Sequence, residues 1–206
     1  MARDRVSRPE AKPLRLFVAI DLPDDVRALV DAGIAPLRER FPRARWVPTR
    51  NQHVTLKFLG TTWPRLVDGV VQTVGGVAAA HEPFETRVAE LGAFPSARRA
   101  RVLWVGLEDP AARLAAISAD LDERLSKDFP PEKRGFTPHL TLARFEPPVR
   151  LEDDLGEIGV ESRPFGVEWL VVYRSHLQRP APVYEAIATF PLGERPQQES
   201  EHAQGA

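Results

Sequence analysis

The sequence predicts an α/β (α+β) body built as a bilobal duplicated unit, in which two mainly antiparallel sheets line a central cleft and the helices lie outside. Three observations predict it. The segments His53-Val54-Thr55-Leu56 and His139-Leu140-Thr141-Leu142 share one pattern and stand 86 residues apart (139 − 53). The strand-like runs RLFVAID from Arg15 and RVLWVGL from Arg101 keep the same separation (101 − 15). A helical stripe lies between strand and histidine in both halves, so each half reads strand, helix, histidine strand.

The bulk numbers set the limits. A chain of 206 residues, 43% apolar and 28% charged, can bury a sizeable core and is too hydrophobic to be disordered throughout. A formal charge of −1 excludes a polycationic coat, so affinity for nucleic acid has to come from a local patch. The absence of cysteine removes disulfides, thiolate nucleophiles and sulfur-ligated zinc. No run approaches the roughly 20 apolar residues of a membrane span, and MARDRVSRPEAKP lacks the apolar stretch of an export signal. The expectation is a soluble cytoplasmic protein, monomeric, with no membrane association and no obligate protein partner.

Taken in order, residues 1–13 and 194–206 are polar, Pro-containing and aperiodic, and are predicted to be disordered tails around a body spanning 14–193. RLFVAID is the first strand. In the segment that follows, Val26, Leu29, Val30, Ile34 and Leu37 recur at helical spacing, and Pro23 with two aspartates suits a helix start. The first histidine strand comes next. PFETRVAELGAF from Pro83 resembles PFGVEWLVVYRS from Pro164, and each starts a hairpin arm whose partners are RVLWVGL and VYEAIATF from Val183. This pairing lets strands of one half complete the sheet of the other. Between the arms, Leu114, Ile117, Leu121 and Leu125 repeat the helical stripe before the second histidine strand.

Side chains alternate along a strand, so His53 and Thr55 project together while Val54, Leu56 and Phe58 are expected in the core; His139 and Thr141 are placed likewise. Each motif offers an imidazole and a hydroxyl on one face, a set suited to phosphate oxygens. One such motif alone reads as the polar side of an amphipathic strand. Two copies at equivalent places in a duplicated unit can face each other across a cleft, and paired imidazoles can take a proton from an attacking water and return one to a departing ribose oxygen. The threonine hydroxyls would hold the nonbridging oxygens. The motifs contain neither HExxH nor an acidic third ligand, so no metal or other cofactor is expected.

These segments resemble the HxTx signature of the two-histidine phosphoesterases. RLFVAIDLP, NQHVTLKFLG, FTPHLTLARF and the closing YRSHL and VYEAIATFPL are similar to bacterial RNA 2',3'-cyclic phosphodiesterases, historically called 2'-5' RNA ligases, from about Leu14 to Leu192. The resemblance implies hydrolysis of RNA 2',3'-cyclic phosphate ends to 2'-phosphomonoesters, with ATP-independent 2'-5' joining of RNA ends. It also implies His53 as general acid, His139 as general base, a phosphate contact from Arg144 and base stacking on Phe17. Ser175 in YRSHL is a further expected substrate contact, whereas His176 is expected to be incidental. Arg144 falls on the core-facing parity of its strand unless a bulge re-aims it. Arg98, Arg99, Arg101, Lys133 and Arg134 could track phosphates or be a solvated face. His81 and His202 receive no role. Two other readings stay open: a phosphodiesterase for a small cyclic nucleotide or a 2'-5' oligonucleotide, and a non-catalytic module that binds RNA ends or nucleotides.

Overall fold

The computed structural model describes residues 12–156 and 158–193; the segments 1–11 and 194–206, expected as tails, lie outside the described residues, as does His202. The elements are β1 (Leu14–Asp21), α1 (Asp24–Gly33), α2 (Ala35–Arg40), β2 (Arg45–Trp46), β3 (His53–Thr62), α3 (Pro64–Ala80), β4 (Phe84–Thr86), β5 (Val88–Phe94), β6 (Ala100–Leu107), α4 (Arg113–Leu125), β7 (His139–Val149), α5 (Glu152–Leu155), β8 (Phe165–Val167), β9 (Trp169–His176) and β10 (Val183–Pro191). The predicted helix after β1 breaks at Gly33 to Ile34 ahead of Pro36, which lacks the N–H a continuing helix needs. Leu29, expected on its apolar stripe, is 40% exposed.

Strand order is β10-β9-β1-β3-β7-β6-β5, with β2 against β7. Every pairing in this sheet is antiparallel. The predicted crossing is present: the C-terminal arm β9-β10 completes the sheet begun by β1 and β3, and β5 completes the sheet of β6 and β7. The two halves are joined edge to edge by a single residue pair, Val54 with Leu140. These two residues are equivalent positions of the repeat. A second small sheet pairs β4 with β8, and there Glu85 faces Gly166, again equivalents, in the two hairpin arms. A pseudo-twofold axis therefore passes between Val54 and Leu140 and between Glu85 and Gly166. The register corrects one detail of the repeat: Asp21 pairs with His53 and Gly106 with His139, so β1 and β6 correspond at 85 residues (106 − 21), one fewer than the histidines.

The helices cross as well. Phe41, at the end of α2, and Trp46 pack edge-on to Phe145 of β7, while Ser118 of α4 donates to the Leu56 carbonyl of β3. Leu16, Ile20, Leu103, Leu114, Ile117, Leu121 and Leu142 fill the core between sheet and helices. Burying each such side chain contributes about 1.5–3 kcal/mol before entropy is counted. Simple alternation fails in β3. Register shifts skip Leu56 and Leu59, so Lys57 pairs with Val18 and is 1% exposed, while Phe58 pairs with Phe17 and is 46% exposed. The expected core residue Phe58 thus lies on the cleft side, because each bulge inserts one residue and reverses the parity beyond it.

Candidate active site

Val54 and Leu140 are fully buried, so their neighbours on β3 and β7 project to the opposite, cleft-facing side. Antiparallel alternation places His53 across from Thr141 and Thr55 across from His139. In a regular ladder such opposite pairs are about 4.5–5.5 Å apart and diagonal ones about 7–8 Å. The two imidazoles occupy one diagonal and the two hydroxyls the other. This four-residue patch is what the duplicated motif builds when its two copies meet on the pseudo-twofold axis.

The imidazoles are oriented alike. His53 Nδ1 lies 2.9 Å from the Asn51 carbonyl and His139 Nδ1 lies 2.7 Å from the Thr137 carbonyl. A carbonyl only accepts, so both rings carry Nδ1–H and present Nε2 to the cleft. His53 Nε2 then accepts from Thr55 Oγ1 at 3.1 Å in the neutral ring. His139 Nε2 has no such partner among the described residues.

Their surroundings differ. Phe17 stacks on His53 at 4.7 Å between centroids, Tyr184 meets it edge-on at 5.2 Å, and Tyr173 lies 6.2 Å away. This enclosure strips water from the ring, and desolvation lowers the His53 pKa to about 4, against the opposing pull of its hydrogen bond to Asn51 and of the Asp21 carboxylate. Asp21 accepts from Tyr173 Oη at 2.7 Å and faces Arg27 at 3.5 Å. Burial first, and then that hydrogen bond, raise the Tyr173 pKa, so the phenol stays a donor. Tyr184 is likewise raised by burial, while the charge of Arg144 pulls it back. His139 instead meets Phe94 edge-on at 5.2 Å and Trp104 at 6.1 Å.

The remaining predicted residues divide. A bulge in β7 leaves Leu142 unpaired between Thr141 and Ala143, which turns the exposed Arg144 to the cleft side, the re-aiming that its parity required. Ser175 pairs with Tyr184 and shares its face. Phe17, expected to stack a base, is 3% exposed in this structure and packs against His53 and Tyr173, so its ring forms the wall behind His53. His176 pairs with Glu185 at 2.7 Å, His81 with Asp120 at 3.2 Å, and Arg98 with Glu152 at 2.6 Å. Sequence reasoning missed Tyr173 and Tyr184. The available signal was composition: they are the chain's only two tyrosines, and both fall in the arms β9 and β10. It also missed Trp104, Asp21 and Asn51. Among the described residues, no three His, Asp or Glu side chains converge in a way that would hold a metal ion.

The 2'-5' RNA ligase superfamily matches residues 23–179. The chain belongs to the 2'-5' RNA ligase superfamily. Within it, an RNA 2',3'-cyclic phosphodiesterase of Thermus thermophilus is 33% identical over 93% of this chain and 96% of its own length. One from Geobacillus stearothermophilus is 32% identical over 85% of this chain, which spans 56% of that longer protein. Among solved structures, TT0787 of Thermus thermophilus superposes with a TM-score of 0.71 at 28% identity, covering 87% of this chain and 98% of that one. Escherichia coli LigT shares the superfamily fold with a TM-score of 0.69, covering 89% of this chain and 100% of that one at 24% identity.

Proposed function

We propose that the protein hydrolyses 2',3'-cyclic phosphate ends of RNA to 2'-phosphomonoesters, with His53 as general acid and His139 as general base. The observation that carries this reading is the diagonal pairing of two imidazoles and two hydroxyls about the Val54–Leu140 pair. Similar proteins bearing the name RNA 2',3'-cyclic phosphodiesterase support the choice of substrate.

In the reaction, a water oxygen attacks phosphorus as His139 Nε2 takes its proton. The bond from phosphorus to O3' breaks, and His53 Nε2–H protonates O3', leaving a 2'-phosphate and a 3'-hydroxyl. Thr55, Thr141 and Arg144 hold the nonbridging oxygens through the displacement. The free site keeps His53 neutral at pH 7, so the acid acquires its proton with the substrate: an anionic phosphodiester between the rings favours the imidazolium. With the 5'-hydroxyl of a second RNA in place of water, the same step forms a 2'-5' phosphodiester and needs no ATP.

Product analysis after incubation with an oligoribonucleotide 2',3'-cyclic phosphate in the presence of a chelator tests the proposal. A 2'-phosphate product supports it. A 3'-phosphate, or turnover that disappears in chelator, overturns it.

A further inference from the structure

The outer end of β3 carries a feature that the cleavage chemistry leaves unused. Phe58 is a large aromatic side chain, 46% exposed on the cleft side, although the pattern of its strand assigns it to the core. Exposing a phenylalanine forgoes burial worth a few kcal/mol. Although single exposed apolar side chains such as Trp169 are ordinary, this ring stands beside a groove and several cations that a ligand could engage together with it. The ring stands on the same face of β3 as His53 and Thr55. The Arg15 guanidinium lies 5.4 Å from its centroid. Beside it opens a groove of about 540 Å³, lined by Phe58, Phe129, Pro130, Lys133, Arg134 and one carboxylate, Glu132, among others, so its cations outnumber its acids. Lys133 and Arg134 are exposed and, like Arg15, have no ion-pair partner among the described residues.

The groove is held in place. The buried Lys57 donates to the Pro130 carbonyl at 2.9 Å and forms an ion pair with Asp122, and Asp122 in turn accepts from the Glu132 amide at 3.1 Å. The two lobes differ here. At the equivalent place in the second lobe, Arg144 stands where Phe58 does, and β2 covers the strand edge by pairing Arg45 with Arg144. In the first lobe the segment 129–134 replaces that strand and leaves the groove beside it.

We infer that Phe58 and this groove bind the single-stranded RNA leading up to the cyclic phosphate end, with a base stacked on Phe58 and backbone phosphates paired with Arg15, Lys133 and Arg134. An aromatic ring interleaved with unpaired cations is the pattern that single strands recognise, since every base has a face to stack and every nucleotide a phosphate. The pseudo-symmetry gives the lobes separate tasks, with Arg144 on the reacting phosphate and Phe58 on an upstream base. The inference rests on the proposed cyclic phosphodiesterase activity for the identity of the strand's end.

The test compares kcat/KM on an octaribonucleotide 2',3'-cyclic phosphate and on a mononucleoside 2',3'-cyclic phosphate, for the natural protein, Phe58→Ala and the double variant Lys133→Glu/Arg134→Glu. All three positions are exposed, so the variants are expected to fold. Phe58→Ala is expected to lose ~5- to 100-fold on the octamer, the scale of one base stack, and to keep the mononucleotide rate within about twofold. The double variant should lose the octamer advantage most at low salt, where phosphate contacts count most. Equal losses on both substrates, or a natural protein with no preference for the octamer, overturn the inference while leaving the cyclic phosphodiesterase reading intact. Fluorescence anisotropy with an octamer ending in a 3'-hydroxyl tests the groove apart from turnover. Binding that both variants weaken supports the inference even if no cyclic phosphate is cleaved, and binding that neither weakens overturns it.

Discussion

The surroundings of His53 and of His139 were built from one duplicated pattern, and they differ in what each lobe adds to it. The shared part is backbone. In both lobes the ring donates Nδ1–H to the carbonyl two residues earlier, Asn51 in one and Thr137 in the other, so orientation follows from the strand itself. The unshared part is side chains. The first lobe has β10 outside β9, and that strand carries Tyr184 to His53; in the second lobe β5 is already the sheet edge, and His139 meets only the edges of Phe94 and Trp104. Duplication therefore supplied two equivalent imidazoles, and the arm after each motif made their environments unequal. Acid and base roles can diverge through such an inequality without any change in the motif.

The comparison is broken first by removing one ring at a time. His53→Ala and His139→Ala are each expected to lower kcat on the cyclic phosphate oligomer by ~10²- to 10⁴-fold, with the double variant little worse because the pair acts as a unit. An aryl phosphodiester separates the roles, because a good leaving group needs little proton donation. On that substrate His53→Ala should recover much of its loss and His139→Ala should not. The opposite pattern would exchange the assignments.

The next effect is on stability. With its pKa lowered to about 4 from the ordinary 6.5, the folded His53 stays neutral where the unfolded chain is protonated. Below pH 4 both states hold the proton, and above 6.5 neither does. In the window between, the unfolded state binds more protons, so stability falls as pH is lowered, by up to about 3 kcal/mol. Urea unfolding of the natural protein and of His53→Gln at pH 7 and pH 4.5 checks this, since the variant should lose that part of the pH dependence. Equal dependence in both would place the ring in water.

Which of these features the sequence could reveal follows a physical line. The repeat, the two histidine strands, the crossing of the arms and the patch of two imidazoles and two hydroxyls were legible because they depend on periodicity and spacing, which backbone geometry enforces. The division of labour was not. Val54 and Leu140 are equivalent neighbours, and the difference between the rings comes from Phe17, Tyr173 and Tyr184, brought together from three strands. Bulges caused the remaining misreadings. One extra residue in β3 exchanged Lys57 with Phe58, and the corresponding bulge in β7 carried Arg144 to the cleft. No propensity marks where a bulge falls, and simple alternation puts Lys57 on the outward side with His53 and Thr55.

A smaller effect tests the wall itself. Tyr184→Ala opens His53 to water on one side, and the His53 pKa, read from its ring proton shifts by NMR, should rise from about 4 by roughly one unit toward 6.5, the scale of ~1.4 kcal/mol of restored hydration. Tyr184→Phe keeps the ring and should leave most of the depression in place. If alanine and phenylalanine move it equally, the hydroxyl and not the enclosure sets the pKa.

The finest contrast lies in the threonines. Thr55 is bonded to His53 Nε2 in the free protein, whereas Thr141 holds no such bond to His139. Thr55→Val is nearly isosteric and removes one hydrogen bond from a site screened by Phe17 and Tyr184, so it should destabilise the free protein by about 1 kcal/mol. Thr141→Val removes none and should cost less. With phosphate bound the contrast should vanish, because each hydroxyl then faces an oxygen of the ligand and each loss removes one contact. Thermal unfolding of both variants, with and without inorganic phosphate, reads the difference directly. A Thr141→Val cost equal to that of Thr55→Val in the free protein would mean that both hydroxyls already hold their rings before substrate arrives, and that the inequality between the lobes lies in the aromatic walls alone.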